Sequence, residues 1–222
     1  CLMRPRHPRS TIFPYTTLFR SQVYFPSDDT DLLIEYLQKI SLKEGVHILE
    51  IGSGSGAVSL WLALKFHESQ KQCKIQCIDI NPLAIITGKI NAQLNSLHKF
   101  VSFQQGDLFS PLQLGQEFDI IIFNPPYLPE DQDTINNENR KPIDHAWDGG
   151  GKGLEILCRF LRNAFKFLKP QGDLLFISSS LADQDELMKY LEEYDYSIKN
   201  TLKKHIFFED IILFHCIRRE SN

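Results

Sequence analysis

At 222 residues, with 42% hydrophobic residues and a formal net charge of −4, the chain is long enough to bury one substantial core and holds no apolar run of membrane-spanning length. Its five cysteines are odd in number, form no C-x-x-C pair and fall mostly in apolar segments. They are expected to be small core residues in a reducing, cytoplasmic compartment, and neither they nor the scattered histidines suggest a metal site.

Residues 1–21 differ from the remainder. They contain Arg4, Arg6, Arg9 and Arg20 and no acidic residue. Such a start fits an organellar presequence, and Arg9 to Ser21 also resembles translated sequencing-adapter read-through. Residues 1–21 are therefore expected to be a non-native or disordered leader, and residues 22–219 a single domain. Setting the four arginines aside leaves 20 basic residues against 28 acidic ones, a net −8. That balance disfavours sequence-independent binding to nucleic acid, though not a local basic patch.

The segment Val23 to Thr30 is extended around Pro26, and an amphipathic helix is expected from about Asp28 to Ile40. Asp28, Asp29 and Thr30 suit a helix N-terminus, and a ligand role for them is equally open. Val46–Ile51 predicts the first strand. Gly52-Ser-Gly54-Ser-Gly56 then lets the backbone bend sharply and approach a ligand at the start of a helix spanning about Ala57 to His67. A second strand, Lys74 to Ile80, has Asp79 at its end. Asn81 and Pro82 cap the next helix, with Leu83, Ile86, Ile90 and Leu94 as its expected apolar stripe.

A third strand, about Phe100 to Gln104, leads to Gly106-Asp107, a helix or loop around Pro111 to Gln116, and a buried strand at Phe118–Phe123. Two prolines end this strand in Asn124-Pro125-Pro126-Tyr127. The Asn124 side-chain oxygen and the Pro125 carbonyl can each accept a hydrogen bond from a planar NH₂ group, and neither proline has an N–H to oppose it. Tyr127 can supply a flat apolar wall. The same tetrapeptide also serves as an ordinary strand-ending turn.

The polar stretch Glu130 to Lys141 is long for a connection, which favours a functional loop. A helix carrying Leu154, Leu157, Leu161, Phe165 and Leu168 is expected to stop at Pro170-Gln171-Gly172. A fifth strand follows at Asp173–Ser178, then a helix from Asp183 to Tyr194. The last two strands, Tyr196 to Lys204 and Asp210 to Cys216, are too close for a crossover helix and must form a hairpin.

This alternation predicts an α/β, doubly wound, Rossmann-like sheet of seven strands with a C-terminal antiparallel hairpin. The glycine turn and Asp79 fit any adenosine-bearing cofactor, and they satisfy the loose dinucleotide fingerprint of an oxidoreductase. An adenine-N6 methyltransferase would use the same Asn-Pro-Pro-Tyr cradle, and a catalytically idle binding scaffold is a further alternative. Glu50 before the glycines, the closing hairpin and Asn-Pro-Pro-Tyr are not features a hydride-transfer site requires.

Five segments match in order those of the HemK-like class I methyltransferases: Tyr24-x-Pro26-x-x-Asp29-Thr30, Leu49-Glu50-x-Gly52-Ser-Gly-Ser-Gly56, Asp79-Ile-Asn81-Pro82, Asn124 to Tyr127, and Ala146-Trp147-x-Gly149-Gly150. The chain resembles the glutamine N5-methyltransferases of peptide chain release factors, and within them the eukaryotic and archaeal branch. The resemblance implies S-adenosylmethionine as cofactor, lined by Thr30, Glu50, Gly52, Gly54, Asp79, Asp107 and Asn124. Asp79 would meet the ribose, Asp107 the adenine amino group, and Asn124 both cofactor and substrate. Asn124, Pro125 and Tyr127 would carry the catalytic step, a direct methyl transfer to a glutamine amide nitrogen in a release factor. Phe25 stands where the family often carries an acidic residue. The resemblance also implies a small zinc-binding activator on the third-strand edge, where Phe100, Val101 and Phe103 would be apolar contacts; ordinary half-buried strand residues read the same way.

Overall fold

A computed structural model describes residues 22–127 and 154–219. The leader, the stretch Glu130 to Lys141 and the Ala146-Trp147 motif lie outside the described residues.

Five strands run parallel: β1 (Val46–Ile51), β2 (Cys73–Asp79), β3 (Val101–Gln105), β4 (Phe118–Phe123) and β5 (Leu168–Ser179). β6 (Tyr196–Ile206) and β7 (Glu209–Arg218) form the expected hairpin, and β7 pairs antiparallel with β5. The sheet order is β3-β2-β1-β4-β5-β7-β6. The chain therefore winds outward from β1 and returns to begin again at β4. The carboxyl ends of β1 and β4 flank that switch point, where open α/β sheets bind ligands.

Helices cover both faces. Leu33 of α1 (Asp28–Leu37), Leu60 of α2 (Ala57–Glu68) and Ile85 of α3 (Pro82–Leu94) share a core with Ile48, Ile122 and Leu213. On the other face, Leu157 and Phe160 of α4 (Glu155–Phe167) and Leu187 of α5 (Gln184–Glu193) pack with Leu49, Ile121 and Phe214. Neighbouring residues such as Ile48 and Leu49 thus bury into opposite cores, as expected of strands covered on both sides.

Three expectations need correction. The buried face of α3 is Ala84, Ile85, Thr87, Gly88, Asn91 and Ala92, whereas Ile86 and Leu94 are exposed. Closeness dictates this choice: a β-carbon on Gly88 would stand 2.2 Å from the Phe103 ring. Pro170-Gln171-Gly172 does not stop a helix. α4 ends at Phe167, and the three residues lie inside β5, where the register with β4 shifts between Phe118 and Ile120. Val101 and Phe103 are buried in the chain's own core, so β3 offers its outer edge as backbone and polar side chains rather than as an apolar surface.

One polar chain crosses the hydrophobic interior. Tyr36 on α1 bonds through its hydroxyl to Nδ1 of buried His215 at 2.7 Å, and His215 Nε2 meets Asp173 Oδ1 at 2.6 Å. Lys199 joins Asp173 at 3.2 Å. Burial opposes ionisation of Asp173, but His215 and Lys199 outweigh it and hold the carboxyl below its ordinary range.

Candidate active site

The glycine turn after β1 is a backbone device. Gly52, Gly54 and Gly56 have φ of +63°, +53° and +81°, a region in which a β-carbon is penalised. A β-carbon on Gly52 would also stand 3.1 Å from the Phe123 ring and 3.8 Å from the Asn124 carbonyl oxygen. The turn and the Asn-Pro-Pro-Tyr segment therefore abut directly.

Asp79 holds this turn in place. Its Oδ2 accepts from Gly54 N at 2.7 Å and its Oδ1 from Asn81 N at 2.8 Å, so one carboxylate joins the loops after β1 and β2. Burial raises its pKa, and the two amides oppose the rise. Asn81 also caps α3, its Oδ1 accepting from Leu83 N at 2.9 Å.

Glu50 is turned toward the core. Its Oε2 accepts from Ser59 N at 3.1 Å and from the Ser59 hydroxyl, and Cys77 lies beside both. It thereby satisfies an open amide in the first turn of α2, where the preceding Gly56 has no side chain to do so. Burial pushes its pKa up to about 8.

Residues 22–27 cross the carboxyl edge as a strap. Asn81 Nδ2 donates to Gln22 O at 2.7 Å, and the Tyr24 carbonyl lies 3.7 Å from where a Gly54 β-carbon would be. The Tyr24 hydroxyl donates to Asp29 Oδ2 at 2.6 Å, and the Tyr127 hydroxyl reaches the same oxygen at 3.3 Å. Asp29, only 2% exposed, thus fastens the Asn-Pro-Pro-Tyr segment to α1. The Asp29 Oδ1 accepts from the Thr30 amide at 2.5 Å, which leaves Thr30 behind this clamp. Burial, then the Asp29 and Glu209 charges, drive the Tyr127 pKa upward, so its hydroxyl stays protonated and acts as an anchor, not as a base.

Asn124 Oδ1 is buried and finds no donor among the described residues, and the same holds for Ser53 Oγ in the glycine turn. A buried acceptor left unpaired costs on the order of 1–3 kcal/mol. Both lie at the switch point, where an incoming ligand could satisfy them.

Asp107 is placed less as expected. Its Oδ2 is held by Arg159 Nη2 of α4 at 2.6 Å, and both side chains are about half exposed. An amino group meeting Asp107 would share it with Arg159. Sequence reasoning left Asp29 as a helix-start residue and missed Arg159 and Gln22. The Tyr24-to-Asp29 spacing was visible, but the partner Tyr127 is 98 positions away and leaves no local signal.

The Methyltransferase domain family matches residues 42–213. A protein named as an N5-glutamine methyltransferase from Methanocaldococcus jannaschii is 34% identical over 89% of this chain and 92% of its own length. The release factor glutamine methyltransferase of Clostridium acetobutylicum is 31% identical over 86% of the chain and 67% of its length, and human methyltransferase HEMK2 is 32% identical over 78% of each. Among solved structures, the Mtq2–Trm112 complex of E. cuniculi, responsible for methylating the eRF1 termination factor, aligns with TM-score 0.63 and 22% identity, covering 88% of this chain and 98% of that one. At that identity the likeness speaks for the fold.

Proposed function

This chain belongs to the protein N5-glutamine methyltransferase family, and we propose its substrate, its residue roles and its partner from that starting point. The family uses S-adenosylmethionine, which supplies an electrophilic methyl group on a sulfonium. The chain's own atoms fit such a cofactor: an open glycine turn, a carboxylate at the end of β2, and two unpaired buried oxygens between β1 and β4.

On our reading Thr30, Glu50, Gly52, Gly54, Asp79, Asp107 and Asn124 form the cofactor side. Gly52 and Gly54 let the backbone approach, and Asp79 holds the turn while offering its remaining lone pairs to the ribose. Glu50 acts from behind by fixing the start of α2, and Thr30 by buttressing Asp29. Asn124, Pro125 and Tyr127 form the acceptor side. The Asn124 Oδ1 and the Pro125 carbonyl would accept hydrogen bonds from the two N–H groups of the glutamine amide while Tyr127, immobilised by Asp29, walls its plane. As the N–C bond forms the sulfonium S–C bond breaks, and the nitrogen then loses one proton to solvent. An amide nitrogen is a weak nucleophile, so orientation and exclusion of water carry the catalysis, and positioning alone can contribute on the order of 7–11 kcal/mol. No side-chain nucleophile is required.

The acceptor we favour is the Gly-Gly-Gln glutamine of a peptide chain release factor; the C. acetobutylicum relative is named a release factor glutamine methyltransferase. Residues 22–219 would serve as one cytoplasmic methyltransferase domain, in keeping with the free thiols of Cys73, Cys77, Cys158 and Cys216 and with the lack of any membrane-length apolar helix among the described residues. The E. cuniculi relative is a two-protein complex. By analogy the outer edge of β3 would receive a small zinc-binding activator through backbone pairing.

The observation that carries the acceptor assignment is the unpaired buried side-chain oxygen of Asn124, on a residue whose backbone abuts the glycine turn at Gly52. Labelled-methyl transfer should be measured on a release factor bearing Gly-Gly-Gln and on duplex DNA, with wild type and Asn124→Ala. Label on the factor's glutamine, lost in the variant, is expected. Label on DNA alone would refute the substrate, and full activity in the variant would refute the role of Asn124.

A further inference from the structure

The hairpin that closes the sheet turns through two residues, Phe207 and Phe208, between the paired Ile206 and Glu209. They are 88% and 95% exposed. Phe207 has φ of +48°, a position at which tight hairpins place glycine, asparagine or aspartate. A bulky side chain there strains the backbone, and two bare rings in water oppose burial of apolar surface. For the fold alone this is a poor choice of turn residues, and such outliers concentrate at functional positions.

The location of the tip supplies a reason. β7 starts at the sheet's carboxyl edge, with Ile211 opposite Ser179 at the end of β5. The Ser179 hydroxyl donates to the Glu209 carboxylate, Ser180 N to Asp210 O at 2.8 Å, and Asp210 N to Ser180 Oγ at 2.9 Å. Lys204 pairs with Asp28 at 2.7 Å, next to the clamp residue Asp29. The Glu209 charge also bears on the Tyr127 hydroxyl. Exposed Leu181 stands on the same rim. β6 and β7 are two to three strands from β4, roughly 10–15 Å across the sheet at about 4.8 Å per strand, and the tip lies about five residues, roughly 16 Å, beyond Asn124 along the strands, so it stands roughly 20 Å from Asn124.

We propose that Phe207 and Phe208 form a docking point for the folded acceptor protein, taking an apolar patch that lies roughly 20 Å, about six extended residues, from the glutamine held at Asn124. Aromatic side chains on a rigid turn carry contact area at low entropic cost, and apolar exposure continuous with a site is the usual mark of a protein-binding rim. The inference rests on the reading of this site as a protein-glutamine methyltransferase.

Two full-length variants test it: Phe207→Ala/Phe208→Ala, and Phe207→Asn/Phe208→Gly, which installs residues the turn prefers. Methylation is measured on the folded release factor and on a Gly-Gly-Gln peptide of about five residues, too short to reach the tip. For the folded factor KM should rise roughly tenfold or more in both variants, with kcat within about twofold. The peptide should be methylated by both variants as by wild type, and the Asn-Gly variant should melt no lower than wild type. An unchanged KM for the folded factor, or an equal loss on the peptide, overturns the docking role and leaves the functional reading standing. Failure of the wild type to label either substrate, with a small subunit of the Trm112 kind present, sinks the functional reading and removes the occupant named here. Wild-type self-association that the variants lose, seen by sedimentation, would assign the tip to a second copy and also overturn the proposal.

Discussion

Two buried aspartates share the carboxyl edge, and they work in opposite ways. Asp79 is addressed by main-chain amides, those of Gly54 and Asn81, and so fixes the course of two loops. Asp29 takes the amide of its neighbour Thr30 on one oxygen, but its other oxygen is addressed by the hydroxyls of Tyr24 and Tyr127 and so fixes the placement of rings. Under the proposed function the contrast divides the site into two halves, one that shapes backbone around a cofactor and one that positions side chains around an acceptor. Between them stands Asn124, with its unpaired oxygen.

If the halves are separable, damage should fall on different constants. Asn124→Ala has the largest expected effect, a kcat loss of about 10²–10³-fold, the size seen when one preorganised polar contact is removed. Rapid-quench assays should show that loss while S-adenosylmethionine affinity changes only slightly. Asp79→Ala comes next. It strips two buried amides of their acceptor at about 1–3 kcal/mol each, so calorimetry should find the cofactor bound at least about tenfold more weakly and scanning calorimetry a lower Tm. A loss of kcat at unchanged cofactor affinity would collapse the distinction between the halves. Asp29→Ala should lower kcat about tenfold by freeing Tyr127 and, because Thr30 and Tyr24 lean on the same carboxylate, weaken cofactor binding by less than Asp79→Ala does.

A last effect bears on stability and concerns Glu50. Burial raises its folded pKa to about 8, so the folded chain binds a proton that the unfolded chain releases across the interval from the ordinary carboxylate range up to that value. Stability from this group is complete below the interval and falls as pH rises through it, by at most about 1.4 kcal/mol per pH unit. Glu50→Gln keeps an acceptor for Ser59 and should flatten that slope in denaturation curves taken from pH 5 to 8. An unaltered slope would show that another group titrates.

The parts legible in the sequence were those written locally. β1, β4 and the core of β5 announced themselves as apolar runs, Asn81-Pro82 as a helix start, and the glycines after β1 as a turn that only they could make. What failed to show were relations between distant residues. On α3 hydrophobicity pointed to Leu83, Ile86, Ile90 and Leu94, but the ring of Phe103 selects for smallness at Gly88 and turns the helix the other way. Pro170 and Gly172 looked like a stop because their usual meaning is local, while the neighbouring β4 accommodates them as an irregularity within β5. Asp29 looked like any helix-starting acid, since its second tyrosine is supplied only once β4 is in place.

The Tyr36–His215 bond spans 179 positions, more than four-fifths of the chain. During synthesis α1 is made early, yet the partner of its buried Tyr36 hydroxyl emerges almost last. A nascent chain can hold every residue of the cofactor and acceptor sides once Asn124 and Tyr127 are out, and still keep one end of α1 unsecured. The hydroxyl at the far end of the helix that carries Asp29 finds its partner only when β7 arrives, so the closing strand completes the polar anchoring of the first helix.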